Sequence, residues 1–322
     1  MKKKFNLLII TPIKHIINLK VKFKFFKSVK VLEDPSYEKV ANIIEKYDVL
    51  FTNPNMSKVF IDKNLINKGK NLKCIATAST GTNHIEKKFL KQNKIKLISL
   101  KKDFKIIKKI SSTAEHALAL TLALIRNIVS SSESVKNGEW NYTKFIGRQL
   151  SNLKVGVIGY GRLGSKYANY FLSLKSKVFV FDPLKKVKNK NINQVHNLKK
   201  IFQECDIISL HVHVENSTIK MINRKLLKLS KKNLILINTS RGEIINETDL
   251  LKFLTKNKNA KYGTDVISNE IRNKKRNKIL KFFKKNNQVL VTPHIGGMTR
   301  EAQEIAYGRV VDKTILFLKT IK

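Results

Sequence analysis

Residues 154 to 164 read Lys-Val-Gly-Val-Ile-Gly-Tyr-Gly-Arg-Leu-Gly, and few stretches restrict a fold as strongly. Val155, Val157 and Ile158 form a short apolar run of buried-strand type, and three glycines follow at the spacing G-x-G-x-x-G. A helix is predicted over Arg162–Leu174, with Tyr167, Tyr170 and Phe171 at helical spacing. The three glycines then serve different ends. Gly159 permits the tight turn, Gly161 lets the backbone approach a pyrophosphate, and Gly164 allows close helix–strand packing. The helix N-terminus offers amides and the positive end of a dipole to phosphates. A second predicted strand, Lys177–Phe181, ends at Asp182, 23 residues beyond Gly159. A carboxylate there can accept hydrogen bonds from adenosine ribose hydroxyls and repels a 2′-phosphate, which argues for NAD over NADP.

Other apolar runs recur along the chain. Strands are predicted at Phe5–Ile10, Asp48–Phe51, Leu72–Ala76, Lys94–Ile98, Ile207–His211, Leu234–Asn238, Tyr262–Asp265 and Val289–Val291. Helices are predicted between them at Ser112–Ser130, Leu198–Glu204, Lys220–Leu229, Glu247–Asn257 and Thr299–Lys319. Ser112 or Thr113 followed by Glu115 suits a helix start. Strands alternating with helices predict α/β architecture, with a parallel sheet covered on both faces.

The 322 residues leave room for two domains. The net charge of +42 invites a nucleic-acid reading, but the basic residues are 56 Lys and only 9 Arg, scattered over every segment. Readers of bases and phosphates favour Arg for its bidentate fork. A lysine, asparagine and isoleucine bias matches an A+T-rich coding sequence, so no specific nucleic-acid partner is expected. Cys74 and Cys205 have neither metal-ligand nor redox spacing and read as free thiols of a reducing compartment. The apolar run after Lys4 spans about six residues, short for a signal core, and no stretch reaches the roughly 18 of a membrane span. A cytoplasmic protein without membrane partners is expected.

Three later segments each set polar residues after an apolar strand. They hold Thr239-Ser240-Arg241, Asp265 to Glu270, and Thr292-Pro293-His294-Ile295-Gly296-Gly297. Carboxyl ends of strands are where doubly wound sheets bind ligands, so Arg241, Glu270 and His294 are expected to converge near a nicotinamide. Their types suit oxidation of a 2-hydroxy acid. A histidine can take the hydroxyl proton and return it. A carboxylate on its far nitrogen fixes the tautomer. An arginine grips a carboxylate and polarises a 2-oxo oxygen.

With these motifs in order, the chain resembles the D-isomer-specific 2-hydroxyacid dehydrogenases over nearly its whole length. Ser112 to Leu120, Gly138-Glu-Trp140 and Leu210 to Thr218 carry the resemblance further. It implies a flavodoxin-like substrate domain of residues 1–104 and 298–322, with an NAD-binding Rossmann domain, 105–297, inserted into it. The active site is expected in the cleft between them. It implies Arg241 on the substrate, Glu270 behind His294, and His294 as acid/base. Gly159, Gly161, Arg162, Leu163, Gly164, Asp182, Thr239, Ser240, Asp265, Gly296 and Gly297 would line NAD, with Asp265 at the nicotinamide carboxamide. Backbone amides of Ser79, Thr80 and Gly81 would hold the carboxylate of a small anionic 2-hydroxy or 2-oxo acid, phosphoglycerate- or glycerate-like. No metal is expected. The 120–150 region implies a homodimer, and no regulatory domain is expected after residue 322. Ile271 and His213 depart from the family by standing where many members have Pro. The alternative is an NAD(H)-binding regulatory protein of the same fold, against which the retained Arg241, Glu270 and His294 argue.

Overall fold

The computed structural model describes residues 4–54, 59–270 and 274–321. Ile271, one of the two departures from the family pattern, lies outside them; His213 is exposed after an apolar strand. The chain divides into two compact units, residues 1–110 with 297–322, and residues 111–296.

The first unit holds a five-stranded parallel sheet, β1 (Asn6–Ile9), β2 (Ser28–Val31), β3 (Val49–Thr52), β4 (Cys74–Thr77) and β5 (Lys96–Ile98). Its order is β2-β1-β3-β4-β5, the flavodoxin-like arrangement. Successive side chains of one strand enter opposite cores, as a pleat demands. Leu7, Ile9, Val49, Phe51, Cys74 and Ala76 face one core, while Leu8, Ile10, Leu50 and Ile75 face the other. The final helix, Arg300–Thr320, closes the first of these cores with Ala306, Tyr307, Val310, Val311 and Leu318. The Thr299 side chain starts it by accepting a hydrogen bond from the Ala302 amide.

The second unit holds a seven-stranded parallel sheet, β6 (Lys154–Ile158), β7 (Lys177–Phe181), β8 (Ile192–Gln194), β9 (Ile207–Leu210), β10 (Ile235–Asn238), β11 (Lys261–Thr264) and β12 (Val289–Val291). Its order, β12-β11-β10-β9-β6-β7-β8, places β6 and β9 side by side where the winding reverses. Here too Val155, Val157, Ile207, Ile235 and Ile237 enter one core and Ile158, Ile208, Leu234 and Leu236 the other.

The structure departs from expectation in several places, among them the short helices Tyr37–Ala41, Lys63–Lys68, Lys87–Gln92 and Lys278–Phe283, which were not predicted. β2 and β8 were not predicted; both are edge strands, and exposed Ser28, Lys30 and Asn193 interrupt any apolar run. The single helix predicted over Ser112–Ser130 is two helices, Ser112–Ile125 and Ile128–Lys136, parted by Asn127 in the left-handed region at φ +54°. Asparagine tolerates that conformation better than most residues. The helix predicted over Lys220–Leu229 shrinks to Arg224–Leu227, because Lys220 has φ +51° and Ile222 pairs with Ile245 instead. Among the described residues no helix is long and apolar enough to cross a membrane.

Candidate active site

Gly159 ends β6 in the left-handed region at φ +92°, and a Cβ there would fall 2.6 Å from the His211 carbonyl oxygen. A Cβ on Gly164 would fall 1.9 Å from the Gly159 carbonyl oxygen, so the helix can sit this close only on glycine. At Gly161, where the helix begins, a Cβ would meet nothing within 4 Å. That open approach to a helix N-terminus fits a pyrophosphate. Asp182 follows β7, and its carboxylate is fixed against the glycine turn. It accepts hydrogen bonds from the amides of Tyr160 at 2.7 Å, Leu184 at 2.9 Å and Lys185 at 3.0 Å. Arg162 and Leu163 are half-buried in the first turn of the helix. Burial pulls the Arg162 guanidinium below its ordinary pKa. The Thr239 hydroxyl is buried without a hydrogen-bond partner among the described residues, a further mark of a ligand-facing surface. A dinucleotide fits this cradle.

Arg241, Glu270 and His294 follow β10, β11 and β12, three neighbouring parallel strands, so one edge of the sheet carries all three. Asn238, wholly buried at the end of β10, shapes the first loop. Its side-chain oxygen accepts from the Ser240 amide at 3.0 Å and its nitrogen donates to the Arg241 carbonyl at 2.9 Å. Ser240 donates its hydroxyl to the Leu210 carbonyl at 2.7 Å, tying the loop to β9. The Arg241 guanidinium donates to the Ser240 carbonyl at 2.6 Å. Burial lowers its pKa, and the negative charges of Glu270 and Glu243 oppose that shift. A Cβ on Gly242 would fall 2.1 Å from both the Ile267 carbonyl carbon and the Ser268 nitrogen, so the Arg241 loop lies directly on the backbone that leads to Glu270. Glu247 braces the same backbone by accepting from the Ser268 amide at 2.9 Å.

His294 Nδ1 lies 2.7 Å from Glu270 Oε1, and both side chains are mostly buried. With the carboxylate ionised, Nδ1 carries the proton and donates, which leaves Nε2 as the basic nitrogen. Asp265 is 2% exposed and anchors the loop that bears His294. Its carboxylate accepts from the amides of Ile295 at 2.8 Å and Gly296 at 2.7 Å and from the Thr292 hydroxyl at 2.5 Å. Burial alone would raise its pKa. Hydrogen bonds from His116, Thr292 and the two amides outweigh burial and hold it below the usual carboxylate range. Gly296 is buried against Asp265 and Thr113, and the chain leaves the second unit between Gly296 and Gly297.

Within the first unit, Ser79, Thr80 and Gly81 follow the carboxyl end of β4 and are half-buried. The Ser79 amide donates to the Thr77 carbonyl at 2.8 Å and its hydroxyl to the Gly81 carbonyl at 2.6 Å. The Ser79 amide and hydroxyl are therefore both engaged within the turn itself. Asn238, Gly242, His116 and Thr292 escaped sequence reasoning. A polar residue closing an apolar strand and a glycine after a candidate arginine were the available signals for the first two. Among the described residues no group of three or more His, Cys, Asp or Glu is placed to hold a metal.

A doubly wound parallel sheet, a glycine turn with a fixed acid, and a histidine–carboxylate pair beside an arginine define a dinucleotide-dependent oxidoreductase. The family model described as "D-isomer specific 2-hydroxyacid dehydrogenase, NAD binding domain" matches residues 118–296. A hydroxypyruvate reductase of Thermotoga maritima is 33% identical over 277 residues, 86% of each chain. A D-3-phosphoglycerate dehydrogenase of Archaeoglobus fulgidus is 31% identical over 89% of this chain, which spans only 52% of that relative. The solved D-lactate dehydrogenase of Aquifex aeolicus, complexed with NAD and lactic acid, has a TM-score of 0.77 and 27% identity, covering 98% of this chain and 94% of its own. The chain belongs to the D-isomer-specific 2-hydroxyacid dehydrogenase family and is an NAD-dependent oxidoreductase. The matched relatives are dehydrogenases and reductases, which favours the enzymatic reading over the regulatory one.

Proposed function

We propose that the chain interconverts a short, anionic D-2-hydroxy acid of glycerate type, with or without a phosphate, and its 2-oxo acid, with His294 as acid/base. The observation that carries this is the 2.7 Å bond from His294 Nδ1 to Glu270, beside a half-buried Arg241. Bound NAD supplies the hydride acceptor. In oxidation the substrate hydroxyl proton passes to His294 Nε2 as the carbinol hydrogen departs with its electron pair, leaving a C=O bond. The imidazolium formed is stabilised by Glu270, and reduction runs the same proton backwards. Arg241 grips the substrate carboxylate and draws electron density from the 2-oxo oxygen. The amides of Thr80 and Gly81 are proposed as further carboxylate donors. Gly159, Gly161, Arg162, Leu163, Gly164, Asp182, Thr239, Ser240, Asp265, Gly296 and Gly297 are the proposed NAD contacts. On this reading residues 1–104 with 298–322 form the substrate domain and 105–297 the NAD domain.

A homodimer is proposed through residues 128–146. This stretch exposes Ile128, Val129, Val135, Trp140, Tyr142 and Ile146, with Trp140 90% accessible. An apolar run of this kind is what a partner surface covers. Cys74 and Cys205 are buried free thiols, consistent with a reducing, cytoplasmic setting.

The test is NADH oxidation across glyoxylate, hydroxypyruvate, phosphohydroxypyruvate, pyruvate and longer 2-oxo acids. Turnover is expected with at least one. His294→Ala should lower kcat by about 10²- to 10⁴-fold with NADH still bound. A protein that binds NADH but reduces none of the panel would refute the assignment.

A further inference from the structure

His116 lies on the Ser112–Ile125 helix, which packs on β10 and β11. Its Nε2 is 2.8 Å from the Thr292 hydroxyl oxygen and 3.4 Å from Asp265 Oδ1. The Thr292 hydroxyl directs its proton to Asp265 at 2.5 Å. Both neighbours of Nε2 therefore accept, and Nε2 must carry the proton and donate. One buried carboxylate then holds both sides of the acid/base residue: Thr292 two positions before it, Ile295 and Gly296 after it.

What this clamp restrains is unusual. His294 has φ +57°, in the left-handed region that a histidine enters only at a cost in backbone energy. Such a conformation persists only where its surroundings over-determine it. Besides the Asp265 bonds, the Thr292 amide donates to the Thr264 carbonyl at 2.9 Å and the His294 amide to the Thr292 carbonyl at 3.0 Å. Pro293 supplies the fixed backbone angle of that tight turn. In this left-handed conformation His294 Nδ1 lies 2.7 Å from Glu270 Oε1. Relaxing residue 294 to an ordinary angle would swing the imidazole away.

We infer that His116, acting through the Thr292 hydroxyl and the Asp265 carboxylate, is a positioning residue that holds His294 in the backbone conformation from which its Nδ1 meets Glu270. This rests on the acid/base role proposed for His294. His116 itself carries no proton for the reaction. Its work is geometric, and a displacement of about 1 Å at an acid/base group is enough to cost on the order of 100-fold in rate.

The experiment pairs disruptive and conservative variants: His116→Leu and Thr292→Val, against His116→Gln and Thr292→Ser. Two readouts are taken on each full chain. The first is the Nδ1 proton of His294 in its bond to Glu270, seen by ¹H–¹⁵N NMR of histidine-labelled protein and assigned by its loss in Glu270→Gln. The second is the split between kcat and KM, with NADH affinity and melting temperature measured alongside. His116→Leu and Thr292→Val should lose the proton signal and about 10- to 100-fold in kcat, with NADH affinity within about twofold of the parent. His116→Gln and Thr292→Ser should recover most of both. If His116→Leu and Thr292→Val retain the signal, the inference is overturned whether or not the chain reduces any 2-oxo acid. If His116→Leu unfolds, the Thr292 pair, which changes only a hydroxyl or a methyl, decides the matter alone. A parent that shows the signal yet turns over no 2-oxo acid defeats the proposed function and leaves the positioning result standing.

Discussion

His211, whose backbone lies against the Gly159 turn, shows how burial can keep a histidine uncharged. It follows β9, its Nε2 lies 2.9 Å from the Ser209 hydroxyl, and its ring packs on Tyr167 at 5.0 Å between centroids. Burial pushes its pKa down to about 3 from 6.5. The unfolded chain therefore binds a proton in that interval that the folded chain refuses. Stability from this residue is complete above about pH 6.5 and drains away as pH falls toward 3. The loss amounts to a few kcal/mol at most. Melting temperatures recorded from pH 7 to 4 should fall less steeply for His211→Gln than for the parent, and parallel slopes would contradict the burial argument. Arg241, Glu270 and His294 were legible as candidate chemistry because together they follow three apolar strands beside a dinucleotide fingerprint, although each alone is ordinary in such a position. His116 and Thr292 were not, since a histidine on a helix and a threonine before a proline have many ordinary uses.

Strands and their following loops are the elements that build the site, and nearly all the central strands were readable from apolar runs alone. A strand buried on both faces must be apolar at every position, as Val49–Thr52 and Ile207–Leu210 are almost throughout. The edge strands β2 and β8 carry no such demand and escaped notice. Loop contacts were also invisible, and Gly242 is the sharpest case. Its missing side chain is what lets the Arg241 loop rest on Ile267 and Ser268. Gly242→Ala should separate the arginine from the acid–histidine pair. We expect a destabilisation of about 1–3 kcal/mol by denaturant titration together with a raised KM for the 2-oxo acid. An alanine variant with parental stability and KM would show that the two loops are not in register through this glycine.

At the scale of the molecule, two surface properties make predictions. If residues 128–146 form a subunit contact, Trp140→Glu combined with Ile146→Asp should convert a dimer to a monomer by sedimentation velocity. A parent that already sediments as a monomer at micromolar concentration would remove the dimer proposal. The net charge of +42 is carried mainly by scattered lysines. It should produce only weak, sequence-independent adsorption to duplex DNA that disappears on raising salt from about 50 to 200 mM. Tight binding that persists at the higher salt would call for a dedicated nucleic-acid surface.

While the division into two sheets came from the family resemblance, the sequence by itself determined the parallel α/β architecture, the glycine turn with the acid Asp182 after the next strand, and the identities of Arg241, Glu270 and His294. Each of these depends on local pattern: apolar runs, glycine spacing and side-chain type within a few residues of a strand end. Only the tertiary structure decided that Asp265 ties the His294 loop to the Ser112–Ile125 helix, and that Gly242 seats the Arg241 loop on the backbone leading to Glu270. It also decided that the helix expected as far as Ser130 breaks at Asn127. Those outcomes depend on contacts between segments up to some 176 residues apart, such as His116 with Thr292. A single chain's linear order does not encode such distances until the sheets bring them together.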